Sequence, residues 1–72
     1  MPRILIIDTD AATRFSIKEM LWDFPYEVDD ASNGKLALER MRRQPADLVI
    51  TEIMMPGMEG VEIVLLLRRN YN

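Results

Sequence analysis

Three acids stand at places where chemistry could be done. Asp8 and Asp10 follow the apolar run Ile4-Leu5-Ile6-Ile7, and Glu52 follows the apolar run Leu48-Val49-Ile50 and Thr51. If both runs are neighbouring parallel strands, the three carboxylates meet at one edge of the sheet. Ligand sites of open α/β sheets lie at that edge. Two carboxylates 4 Å apart repel by roughly 4 kcal/mol at an effective dielectric near 20. Such a group is held by a neutralising cation, by water, or by protonation of one member. Oxygen donors without His or Cys suit Mg²⁺ or Mn²⁺. The competing reading is structural: Asp8 and Asp10 only cap a helix, a place Thr9 could also take, and Glu52 is solvated.

The composition narrows the chemistry. The 72 residues include no His and no Cys, so imidazole catalysis, Ser/His triads, disulfides and thiolate metal sites are excluded. The net charge of −3 argues against a nucleic-acid surface. Arg42, Arg43, Arg68 and Arg69 fall in the last turns of expected helices, where they complement the helix dipole. The apolar runs are too short to span a membrane, so a soluble cytoplasmic protein is the expectation. At this length one domain is expected, residues 1–72, near the lower limit for an unaided core.

Three strand–helix units are expected to position the acids. Residues 4–7 are apolar without alternation, which fits a strand covered on both faces. A helix is expected over residues 11–24, with Thr13, Ile17, Met20, Leu21 and Phe24 on one face. Ala11, Phe15, Lys18 and Trp22 form a second stripe, and its two aromatics suggest a contact surface. Pro25 ends that helix. Tyr26 to Asp29 reads as a polar edge strand, and Ser32-Asn33-Gly34 as a turn. A helix from about Lys35 to Arg43 turns Ala37, Leu38 and Met41 inward. The third strand covers Asp47 to Thr51, and a third helix runs from Gly60 to about Arg69. Alternating strands and helices imply a parallel sheet with right-handed crossovers.

The segments ILIID, YEV, ASNGKLAL and DLVITEIMMPGMEG resemble the response-regulator receiver domain of two-component signalling. The resemblance runs from residue 3 to about 69. It implies a flavodoxin-like α/β fold, here with three parallel strands in the order 2-1-3 and three helices. It also implies phosphoryl transfer from a histidine kinase to an acid at the end of strand three, with Mg²⁺ held by acids at the end of strand one. On this sequence the acceptor position is Glu52. The metal positions are Asp8, Asp10, Glu52 and the main-chain carbonyl of Met54. Three departures follow. Glu52 is one methylene longer than the usual Asp, which displaces its carboxylate from in-line transfer. Thr9 stands where the second of two adjacent acids is usual. The hydroxyl and lysine residues of strands four and five have no counterpart in these residues. The expectation is a degenerate pseudo-receiver with weak or absent Mg²⁺ binding and no catalytic residue, acting by association. A still phosphorylatable receiver, completed by dimerisation or by a C-terminal half, is the alternative. A Mg²⁺-dependent phosphohydrolase fragment ranks last, since that class needs more acids and a lysine.

An uncovered strand three invites pairing through its edge, and the third helix is apolar nearly all round. A homodimer is therefore expected, its interface drawn from Phe15, Trp22, Val49, Ile63, Leu65 and Leu66. A fragment whose missing half lies in a longer protein would account for the same surface.

Overall fold

The computed structural model describes residues 1–52 and, beyond them, Leu65, Arg68 and Arg69. The element order is β1 (Arg3–Ile7), α1 (Ala11–Met20), β2 (Glu27–Ala31), α2 (Gly34–Arg43) and β3 (Leu48–Thr51). The strands form one parallel sheet in the order β2-β1-β3. The first crossover therefore steps one way across the sheet and the second steps back over β1. With both right-handed, α1 and α2 fall on opposite faces. The third helix expected over residues 60–69 lies outside the described residues, apart from Leu65, Arg68 and Arg69, which are helical.

β1 is the axis of the core, and Ile4, Leu5, Ile6 and Ile7 are all buried. Alternation divides them between the faces. Leu5 and Ile7 join Ala31, Ala37 and Met41 in one cluster, with Leu36, Leu38, Ala46 and Val49 packed around it. This is the α2 face, and it confirms Ala37, Leu38 and Met41 as inward residues. Asn33 caps α2, its side chain accepting from the Leu36 amide at 2.9 Å.

α1 departs from expectation in length and in facing. It ends at Met20, not at residue 24. The chain tightens there: the Leu21 amide donates to both Ile17 and Lys18 carbonyls, Trp22 to Glu19 and Phe24 to Leu21. Such bonds to the third residue back are usual at a helix end, and Pro25 disfavours a helical residue before it. The expected inward residues Met20 and Phe24 are exposed, at 68% and 53%. The expected Thr13, Ile17 and Leu21 are half-buried, and Arg14 and Lys18 join them in place of Met20 and Phe24. Two cations take part in that face because Asp30 of β2 lies beneath them. Arg14 Nε and Lys18 Nζ donate to its two carboxylate oxygens at 2.8 and 2.9 Å.

β2 runs two residues beyond the expected end and carries both Asp29 and Asp30. A strand accepts these acids when each is neutralised on its own face. Asp30 meets Arg14 and Lys18, while Asp29 meets Arg3 at 2.8 Å and lies 4.0 Å from Arg40. At the start of the sheet Arg3 joins all three strands. Its guanidinium donates to Glu27 and Asp29 on β2 and to the Gln44 carbonyl, and its amide donates to Asp47, just before β3.

Candidate functional site

The register fixes what meets at the far end of the sheet. Ile7 lies opposite Ala31 on one side and Thr51 on the other. The ladder runs one step further on both sides: the Asp8 amide donates to Ala31 and the Glu52 amide to Ile7, each at 3.2 Å. Residues 8–10 and Glu52 therefore leave the sheet side by side, as the sequence implies.

The three acids do not converge on a common point. Each accepts hydrogen bonds from the β1–α1 turn or from the first turn of α1. Asp8 Oδ1 accepts the Asp10 amide at 2.9 Å, which folds the turn back on itself. Asp10 Oδ2 accepts the Thr13 amide at 3.3 Å and the Thr13 hydroxyl at 2.7 Å, capping α1. Glu52 Oε1 accepts the Thr9 amide at 3.1 Å and the Thr9 hydroxyl at 2.8 Å. Behind the turn, Arg14 Nη1 donates to the Asp8 carbonyl at 2.6 Å. The charge is thus met by three donors of the turn, two donors of Thr13 in the first turn of α1, and a guanidinium close behind.

The Thr13 hydroxyl is the main cause that holds the Asp10 carboxyl below its ordinary value. Slight burial works against it, and the Ala12 and Thr13 amides and the Arg14 charge add to it. Asp10 is therefore an ionised cap across the neutral range.

A Mg²⁺ ion prefers octahedral oxygen donors at short range. The described residues do not fit it. Asp10 is committed to the helix, Glu52 Oε1 is taken by Thr9, and Thr9 carries no charge to offer. Among the described residues no group of three or more His, Cys, Asp or Glu is arranged to hold a metal ion. Met54 lies outside the described residues. Of the expected metal residues, the structure thus brings Asp8 and Glu52 to neighbouring strand exits and turns Asp10 away to the cap.

The expected contact residues divide similarly. Phe15 and Trp22 are exposed at 62% and 84%, and Leu65 at 64%. Val49 is already half buried against the α2 core, because alternate residues of β3 face that cluster. Ile63 and Leu66 lie outside the described residues.

The sequence profile of the response regulator receiver domain matches residues 4–72. The chain belongs to the response-regulator receiver family. It is 33% identical over 69 residues to the transcriptional regulatory protein AfsQ1 of Streptomyces coelicolor, which covers 96% of the chain and 31% of that protein. Among solved structures, the Thermotoga maritima response regulator TrrA in complex with Mg²⁺-BeF superposes with a TM-score of 0.92 at 39% identity. That match covers 99% of the chain and 62% of TrrA. TrrA in complex with the histidine kinase ThkA gives a TM-score of 0.90 at 40% identity, over 97% of the chain and 60% of TrrA. The chain thus spans about a third of that curated relative and about three fifths of the solved receiver. The fold and the two-component class expected from the sequence hold. The phosphohydrolase alternative gains no support. No helix among the described residues is long and apolar enough to cross a membrane.

Sequence reasoning missed the Thr9–Glu52 contact and the part of Arg14. A signal for the first was present. Thr9 and Glu52 are both departures from the receiver pattern, and the register makes them neighbours.

Proposed function

We propose that this chain is a receiver module that does not take up a phosphoryl group at Glu52 and works through protein association. One observation carries the reading: both donors of Thr9 close on Glu52 Oε1, the carboxylate at the acceptor position. Phosphoryl transfer depends on an acceptor oxygen in line with the donor and on a counter-charge for the transferred group. Here the longer side chain is drawn toward the β1–α1 turn, and the donor set does not suit Mg²⁺. No step through that ion is therefore derived, and Mg²⁺ binding is expected to be weak or absent.

Two features support association. Phe15 and Trp22 expose large rings on α1, and aromatics are enriched at protein interfaces. β3 pairs with β1 and with no other strand among the described residues. The partners proposed are a second copy of the chain and a histidine kinase. The kinase is suggested by the complex of the similar TrrA with ThkA, and a cytoplasmic location is proposed along with it.

One mass-spectrometric experiment tests both parts. After incubation with a small acyl phosphate and MgCl₂, the denatured mass should be unchanged, and the native mass should show a dimer at micromolar concentration. A stoichiometric gain of one phosphoryl group contradicts the first part and favours the phosphorylatable alternative. A native monomer removes the second copy.

A further inference from the structure

We propose that Thr9 and Glu52 form a clasp that joins the exits of β1 and β3 by hydrogen bonds, where a receiver would otherwise join them through a cation. Thr9 is the positioning residue. Its amide and hydroxyl grip the same oxygen, Glu52 Oε1, at 3.1 and 2.8 Å. One residue before Glu52, Thr51 pairs with Ile7 in the sheet, so the clasp closes directly on the ladder. The two departures from the receiver pattern explain each other. A carboxylate at position 9 would repel Glu52 and could not donate. An aspartate at position 52 would be one methylene shorter and would fall back from the Thr9 hydroxyl. Neither change alone turns one arrangement into the other.

The rest of the turn is built to the same end. Asp8 accepts from the turn and Asp10 from the start of α1, and Arg14 brings a fixed positive charge to the Asp8 carbonyl. Hydrogen bonds to a charged group are the strong ones. The clasp makes closure of this edge independent of divalent cations.

The inference rests on reading Glu52 as a non-acceptor, but its test reads different quantities. Thermal midpoints are measured for the native chain, Thr9→Ser, Thr9→Val and the double variant Thr9→Asp/Glu52→Asp. Each is melted with about 10 mM MgCl₂ and with KCl of equal ionic strength, which compares specific binding with screening. The native chain and Thr9→Ser should melt alike in both salts. Thr9→Val keeps the shape and loses the hydroxyl; its unfolding equilibrium constant should rise about tenfold, still without response to Mg²⁺. The double variant should gain about 5 °C or more from Mg²⁺, as a ligand bound only to the folded state does. Should the double variant stay unfolded, the serine and valine variants decide alone. A native midpoint that rises with MgCl₂ over KCl overturns the clasp, and so does Thr9→Val melting like the native chain. A phosphoryl gain by the native chain with these melts unchanged would sink the proposed function and leave the clasp standing.

Discussion

Arg3→Met should destabilise the folded chain by about 3 kcal/mol in urea unfolding at pH 7, because it leaves partly buried acids without their cation. The Arg3 side chain is only 11% exposed. Its guanidinium meets Glu27 at 2.9 Å, Asp29 at 2.8 Å and the Gln44 carbonyl at 3.1 Å. The Glu27 side chain is half exposed, and that contact alone is worth little. Asp29 is the costly one. Without Arg3 its nearest cation is Arg40 of α2, at 4.0 Å. Methionine keeps the apolar stem and the volume, so the loss reads the charged head. The main-chain bonds between Arg3 and Asp47 remain in the variant. A change below about 1 kcal/mol would show that solvent replaces the guanidinium without cost, as at an exposed pair.

The second large effect belongs to Asp30→Asn and depends on pH. Burial works to raise the Asp30 carboxyl, but the hydrogen bonds from Lys18 and Arg14 and their charges outweigh it, and the group lies below its ordinary value. A carboxylate lowered in the folded state adds stability above its unfolded value and loses it as pH falls through the folded one. At pH 7 the variant should be less stable by about 2 kcal/mol, the scale of a hydrogen bond to a charged group. The gap should begin to close as pH drops below about 4, the ordinary aspartate value, and go on closing as pH falls through the lower folded one. Urea midpoints from pH 7 to pH 2.5 check this. A gap that stays constant across that range would mean that Asp30 contributes by shape and not by charge.

Both effects arise from β2, the element that the sequence disclosed least. β1 was legible because four consecutive apolar residues without alternation have few places to go except a covered strand. α2 was legible because Ala37, Leu38 and Met41 repeat at helical spacing and the Ser32-Asn33-Gly34 turn precedes them. EVDDA offers no such pattern. Its two acids argue against a strand until Arg3, Arg14, Lys18 and Arg40 are known to reach it from other elements, and tertiary pairing of that kind is invisible to local periodicity. The same ignorance misplaced Met20 and Phe24. The face of α1 keeps Thr13, Ile17 and Leu21 of the expected stripe and is completed by Arg14 and Lys18 over Asp30.

The candidate site shows the same division. Its location followed from two strand ends and their register, and the family followed from the loop after Glu52. Its internal wiring did not follow. Three nearby acids suggest a cation as readily as three acceptors, and the choice depends on which donors the β1–α1 turn brings within 3 Å. The turn supplies Thr9 to Glu52 and the Asp10 amide to Asp8, and the start of α1 supplies Thr13 to Asp10.

The central claim is that the Glu52 edge is closed by the chain's own donors and answers neither to Mg²⁺ nor to a phosphoryl group. The most direct measurement is an amide ¹H–¹⁵N correlation spectrum recorded before and after addition of MgCl₂ and beryllofluoride, a phosphoryl mimic. The Asp8, Thr9, Asp10 and Glu52 amides should keep their positions, with Thr9 protected from exchange by its bond to Glu52. Saturable shifts of these four signals, with release of the Thr9 amide, would contradict the account.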